Sequence, residues 1–238
     1  MLLRPCAILA GCPSTVLYAE STPVAGVPVL DIPTVLNHVE AAQRGYKATL
    51  QPELAREMET AMQRLQQYRP AMEQLGTGFQ KWHAELAGSG AVLLREAAAG
   101  APQTFDFSLR GEFADESTAA GTASLLQRGF AAAGPWASRC PSVETSGATV
   151  LVSYGASSLG SVPPESAVQV PGGALFSLNL PALVRMLEKM DPQGQNADVQ
   201  RVLENARDAA GWLERVDAAA CTSGDELHAL IRLQSPQK

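Results

Sequence analysis

The chain has 238 residues, of which 46% are hydrophobic and 18% charged, so its composition is that of a folded globular protein and excludes wholesale disorder. Its 18 Lys and Arg residues against 24 Asp and Glu residues give a formal net charge of −6, with no basic block. This balance disfavours binding to nucleic acid or to an anionic membrane surface. We also expect no transmembrane span, because no apolar run approaches the roughly 18 residues required.

The N-terminus resembles a bacterial export signal. Leu9-Ala10-Gly11-Cys12 has the form of a lipobox, the sequence that precedes a lipidated cysteine, and Arg4 supplies the positive charge of a leader. Pro5, however, interrupts a short apolar segment. We therefore hypothesise lipidation at Cys12, with an ordinary opening strand as the alternative.

Residues 1–50 are expected to supply an opening strand and a first helix. Residues 14–20 are typical of a strand, with Val16 and Tyr18 on one face. A turn-rich connector follows, and Pro33 is well placed at the first position of a helix over residues 34–43.

Residues 51–90 are predicted to form a helical hairpin. Apolar residues recur at steps of three or four from Pro52 to Leu86, and Pro70 should end or kink the first helix near Arg69. The apolar stripe packs into the core in the ordinary case. Alternatively, its methionine-rich part serves as an interaction face formed by Met58, Met62, Leu65 and Met72.

From residue 91 the apolar period changes from helical to strand-like. In residues 103–113, Phe105, Phe107 and Leu109 alternate with polar residues such as Asp106 and Ser108. This period of two predicts an antiparallel strand with one buried and one solvent-exposed face, paired in a hairpin with a strand beginning at Ala91.

The remaining elements follow from local pattern. Acidic residues open a predicted helix, and Gly134-Pro135 ends it. A Gly-, Ser- and Pro-rich stretch is predicted to be a loop. The expected order is helix 115–133, strand 148–154, loop 155–173, strand 174–180, helices 181–190 and 198–217, and strand 226–233.

Two internal similarities suggest repeated units. Leu30-Asp31-Ile32-Pro33 matches Leu178-Asn179-Leu180-Pro181, and each reads as a strand-to-helix turn. In residues 91–238, two strand–helix–strand units place Cys140 and Cys221 at equivalent positions before their second strands. We therefore favour a Cys140–Cys221 disulfide, with reduced, buried cysteines as the alternative.

Together these elements predict an α+β fold in one compact domain. A mainly antiparallel sheet would be covered on one face by helices, with an internal strand–helix–strand repeat and the helical hairpin as an insertion. If the sheet curves, an apolar groove could lie between helices and sheet.

Catalytic motifs are weak in this sequence. Ser158 lies in Ala156-Ser157-Ser158-Leu159-Gly160, a variant of the nucleophile elbow, but Pro163-Pro164 prevents the helical turn that the motif needs. The three histidines are isolated, so no metal site is predicted, and no phosphate-binding glycine loop occurs. We expect no enzymatic activity and no cofactor.

Some features carry a resemblance to a class of proteins. The opening Pro13-Ser14-Thr15-Val16-Leu17-Tyr18, the Leu178-Asn179-Leu180-Pro181 helix start and the late helix before a terminal strand resemble uncharacterised bacterial envelope proteins that are secreted or lipid-anchored. This resemblance implies an exported, non-enzymatic protein on the periplasmic side that binds another protein or an apolar ligand. The alternatives are a serine hydrolase that uses Ser158 and a cytosolic subunit of a larger assembly, and the sequence leaves the oligomeric state open.

Overall fold

A computed structural model describes residues 14–22, 37, 41, 52–133, 140–155, 173–223 and 226–236. For part of the segment 52–67 and for residues 222, 223, 226 and 227 it describes the backbone alone. The bounds of the described elements are β1 Thr15–Ser21, α1 Pro52–Glu85, β2 Leu86–Glu96, β3 Phe105–Phe113, α2 Glu116–Ala131, β4 Ser142–Ser146, β5 Thr149–Tyr154, β6 Ala174–Asn179, α3 Leu180–Met190, α4 Ala197–Ala210, β7 Arg215–Ser223 and β8 Glu226–Gln234.

All eight described strands belong to one sheet. Their order is β4-β5-β3-β2-β1-β6-β7-β8, and every neighbouring pair is antiparallel. The predicted α+β class is therefore confirmed. The first of the described strands lies in the interior of the sheet, between β2 and β6, so the two halves of the sheet meet on β1.

The described helices pack on one face of this sheet. Leu126 of α2 and Trp82 of α1 share a core with Phe113 and Val150 from β3 and β5. Met186 of α3 packs on Val16, Leu94 and Phe105 in the middle of the sheet, and α4 packs on α3. We call this side the helix face, defined on β3 by Phe105, Phe107, Leu109, Gly111 and Phe113, and the other side the opposite face.

The predicted helical hairpin over residues 51–90 is wrong. One continuous helix, α1, extends through Pro70 to Glu85. A proline inside a helix costs about 3 kcal/mol because it removes one hydrogen bond and crowds the preceding turn. After Pro70, Leu75, Phe79 and Trp82 pack into the core with α2, and this burial offsets the local cost.

Two strands were not predicted. β4 has the polar sequence Ser-Val-Glu-Thr-Ser, and β7 begins at Arg215, where the sequence predicts the end of a helix over 198–217. α4 instead ends at Ala210, with Gly211 as its C-cap. β4 pairs with β5 and β7 pairs with β8 in hairpins. Pairing with these neighbours therefore favours the strand conformation more than the residues of β4 and β7 do by themselves.

An ion-pair cluster fastens α3 to the sheet. Glu96, at the end of β2, accepts hydrogen bonds from Lys189 Nζ at 2.6 Å and Arg185 Nε at 3.0 Å. Partial burial alone would raise the pKa of Glu96, but the hydrogen bonds and charges of Lys189 and Arg185 outweigh it and hold this pKa below its ordinary value. The cluster therefore stabilises the fold at neutral pH and loses its effect as the pH falls through the lowered pKa.

We predict that Gly111→Ala destabilises the fold. A Cβ atom at Gly111 would collide with the indole ring of Trp82, which lies against the backbone of β3. Overpacking of this kind costs about 1–3 kcal/mol, to be measured as the free energy of unfolding in urea. Gly121→Ala on α2 is the matched control, because its Cβ would meet only the flexible end of Lys81. The control should be unchanged or more stable, and equal stability of the two variants would contradict this account.

Candidate functional site

On β1 and β3 the opposite face of the sheet is buried and charged, although the alternation in residues 103–113 predicts a solvent-exposed face. Asp106 and Ser108 of β3 are buried, as are Tyr18 and Glu20 of β1. Burying a charge is costly unless a partner compensates it, so the contacts of these side chains are informative.

The centre of this face is a carboxylate–guanidinium pair. Glu20 lies opposite Ala91 of β2, which in turn lies opposite Arg110 of β3. Because the residue between them is a small alanine, the long Arg110 side chain can reach across β2 over a spacing of about 10 Å between strands. Its Nη2 lies 3.7 Å from Glu20 Oε1, and Tyr18 donates a hydrogen bond of 2.6 Å to Glu20 Oε2.

Two similar pairs flank the centre. Arg95 Nη2 lies 3.2 Å from Asp106 Oδ2. On the other side of β1, Arg215 Nε donates to Asp217 Oδ1 at 2.8 Å, and its Nη2 donates to Ser177 Oγ at 3.0 Å. Three carboxylate–arginine pairs therefore lie on this face, on strands β1, β2, β3 and β7, and we call them the charged row. The two pairs that join different strands contribute little net stability, but they penalise a wrong register of β1, β2 and β3, which would separate their charges.

A small cavity lies beside this row, over β3, β5 and β4. It has a volume of about 280 Å³, with Arg110 and Glu112 on one side, Glu144 on the other and Leu151 between them. Its volume falls at the lower limit of ligand pockets, which are about 300–1,000 Å³. The Nε and Nη2 atoms of Arg110 are buried rather than open to this cavity. The cavity thus offers carboxylates and hydroxyl groups at its rim.

A second candidate site is apolar and exposed, and it lies at the β8 edge of the sheet. We call it the β8 edge surface. On the helix face, Ile231 lies opposite Ala218, which lies opposite Phe176, so the three form one row. The exposed large apolar residues on these strands are Phe176 (36%), Leu230 (50%), Ile231 (66%) and Leu233 (60%), and Trp212 (64%) is exposed in the turn that precedes β7.

The helices stop short of this edge. α3 packs on Val16 and Leu94 of the central strands, and α4 packs on α3 through Leu203 and Ala206. Leu233 and Ile231 of β8 therefore keep their exposed surface on the helix face, while Leu230 is exposed on the opposite face. Exposed apolar patches of this kind mark interaction sites in proteins.

The other edge of the sheet is protected. β4 has five residues, four of them exposed and polar, with Glu144 at its centre. Short, polar, charged edge strands discourage pairing with other chains. β8 has nine residues and no proline, and from His228 to Gln234 its one charged residue is Arg232. The two edges are thus built for opposite behaviour.

The sequence predicted different site residues. Neither Cys140 nor Cys221 forms a disulfide, so the predicted bond is wrong. Cys140 precedes β4 and Cys221 lies on β7, and five strands separate β4 from β7. At about 4.8 Å per strand this separation is on the order of 25 Å or more, far beyond disulfide reach. The two cysteines hold equivalent positions in the two predicted strand–helix–strand units, but the strand order places them toward opposite ends of the sheet.

The other predicted positions yield less. Cys12 and Ser158 lie outside the described residues, as do the side chains of Met58, Met62 and Leu65. Met72 is partly buried on α1. No group of His, Cys, Asp or Glu side chains in the described segments could hold a metal ion. No helix among those described is both long and apolar enough to cross a membrane.

The sequence carries a signal for the β8 edge surface that the prediction missed. The run Leu230-Ile231-Arg232-Leu233 breaks the period of two by placing apolar residues on both faces, which is typical of an interface strand. Glu20 and Arg110 carried no such signal, because only the register of β1, β2 and β3 brings them together.

Comparison with known proteins gives no match. No family model matches the chain, and no curated protein and no solved structure matches it significantly.

We predict that Glu20 and Arg110 are energetically coupled. Arg110→Met should cost about 3 kcal/mol, because it removes the cation from beside a buried carboxylate. The double variant Arg110→Met with Glu20→Gln should lose about 1–3 kcal/mol less unfolding free energy than the sum of the losses in the two single variants, measured by urea unfolding. Arg201→Met is the control, since the Arg201–Asp198 pair is exposed and should contribute nothing measurable. Strictly additive effects would contradict the coupling.

Proposed function

We propose that this chain is a non-enzymatic protein of the bacterial envelope that acts by assembling with another protein through the β8 edge surface. The observation that carries the proposal is the exposure of Ile231 and Leu233 on a long edge strand, with Trp212 nearby in the chain before β7. Tryptophan and large aliphatic residues are the usual anchors of protein interfaces, and an open strand edge also offers backbone hydrogen bonds to a partner.

The geometry favours a protein over an apolar small molecule. An apolar ligand needs a concave pocket that covers most of its surface. The β8 edge surface is instead the outer edge of the last strand in the described part of the sheet, and the cavity near Arg110 is lined by Glu112, Glu144 and hydroxyl groups. A partner that supplies a strand can pair with β8 and cover apolar side chains on both faces at once.

The chemistry of the charged row supports a role without catalysis. Glu20 and Tyr18 are buried, so a substrate does not reach these groups in this structure. The carboxylates of Asp106 and Asp217 each form an ion pair with an arginine, with nitrogen–oxygen distances of 3.2 Å and 2.8 Å. The envelope location rests on the lipobox-like Leu9-Ala10-Gly11-Cys12 and on the resemblance carried by Pro13–Tyr18 and Leu178–Pro181.

The proposal predicts a specific cross-link in living cells. A photo-reactive amino acid at Ile231, introduced in the cells that produce the chain, should give one discrete higher-mass adduct. The same group at Val202, an exposed apolar residue on α4, is the control and should give none. Adding Leu233→Lys to the Ile231 variant should abolish the adduct, because a charge would be buried in the interface.

Two outcomes would contradict the proposal. One is the absence of any adduct from Ile231. The other is an equal adduct from Ile231 and Val202, which would indicate random collision. The mass of the adduct also tells whether the partner is this chain or a different protein.

A further inference from the structure

The contrast between the two sheet edges limits how this chain can associate. A head-to-tail contact would join β8 to β4, and so would place apolar Leu230 and Ile231 against the polar residues of β4. A two-fold contact uses the same surface in both copies and closes after two subunits. One apolar edge and one protected edge therefore match a closed pair and do not match a fibre.

The sequence of β8 is self-complementary about Ile231. In an antiparallel pairing with the axis at that residue, Ile231 faces Ile231 of the second copy, and Leu233 faces Ala229. The row that runs from Phe176 through Ala218 to Ile231 on the helix face then continues into the same row of the second copy. Cross-strand pairs of β-branched and aliphatic residues stabilise antiparallel sheets.

The opposite face is also compatible with this register. Leu230 faces Arg232 of the second copy, whose aliphatic stem can cover it, and His228 faces Gln234. Shifting the axis to Leu230 would instead set His228 against Arg232 twice, which brings basic side chains together. The strand carries no carboxylate from His228 to Gln234. The negative residues that give the chain its net charge of −6 therefore do not face one another across this pairing.

The available apolar area fits a dimer. Aromatic side chains bury on the order of 150–250 Å² each, so the exposed fractions of Trp212 and Phe176 together leave about the area of one such side chain. Leu230, Ile231 and Leu233, each at least half exposed, add to this apolar surface. A standard interface buries about 800 Å² per partner, of which somewhat more than half is apolar. The exposed apolar surface is thus of the order that one partner of a dimer needs.

From these observations we infer that the partner on the β8 edge surface is a second copy of this chain, joined by antiparallel pairing of β8 with β8 about a two-fold axis at Ile231. This inference rests on the proposed function and makes it specific. The result is a sixteen-stranded sheet that spans both copies, twice the eight strands of one chain.

The first experiment measures the mass of the purified full chain by light scattering over a dilution series. Wild type should have twice the mass of one chain at high concentration. Ile231→Lys should raise the dissociation constant about 30-fold or more, the effect of losing a central interface residue. Val202→Lys is the matched control and should leave association unchanged, and circular dichroism should confirm that both variants are folded.

The second experiment tests the register. Ile231→Cys should give a disulfide-linked dimer under mild oxidation, because a residue on the two-fold axis faces its own copy at about 4.5–5.5 Å between Cα atoms. Leu233→Cys should not cross-link, because Ala229 lies opposite it. Wild type, with its natural cysteines, serves as the control for other disulfides.

The outcomes separate this inference from the proposed function. A wild-type chain that is monomeric at every concentration, or Ile231→Lys that stays dimeric, overturns the second-copy inference. Cross-linking of Leu233→Cys but not of Ile231→Cys overturns the axis at Ile231. A monomeric purified chain together with a discrete cellular adduct of different mass keeps the proposed function while removing this inference. A monomer that gives no adduct removes both.

Discussion

The pairing of β1 with both β2 and β6 is the constraint on which the rest of the structure depends. β1 is the first strand of the described chain, yet it lies inside the sheet, and Val16, Tyr18 and Glu20 are among its most deeply buried side chains. Without β1, the strands β2–β5 and β6–β8 would share no hydrogen-bonded neighbour. Because β1 joins them, there are two sheet edges in the described structure instead of four, and the character of those edges decides how the molecule can associate.

The charged row on the opposite face reinforces this constraint. The contact of Glu20 with Arg110 requires β1, β2 and β3 in one register, and the contact of Arg215 with Ser177 requires β6 and β7 in theirs. A slip of one residue would carry every one of these side chains to the other face. We interpret the row as a device for register, and its burial separates it from the exposed β8 edge surface, where association is proposed.

Local pattern was enough to predict the elements that specify themselves. The alternation of residues 105–113 and the acidic start of α2 predicted both elements to within a few residues. β4 and β7 were missed because their polar or small residues form strands through their neighbours. The continuity of α1 through Pro70 depended on packing against α2, and the distance between Cys140 and Cys221 depended on strand order. These are tertiary facts that no local pattern carries.

Amide hydrogen exchange of the full chain at low and at high concentration tests the central claim most directly, since it reads the centre and both edges of the sheet at once. We expect β1 to exchange slowly at both concentrations and β4 to exchange quickly at both. The amides of β8 that do not bond to β7 should exchange quickly in dilute solution and slowly in concentrated solution. Equal behaviour of β8 and β4 at both concentrations, or a β1 that exchanges as quickly as the edges, would contradict this account.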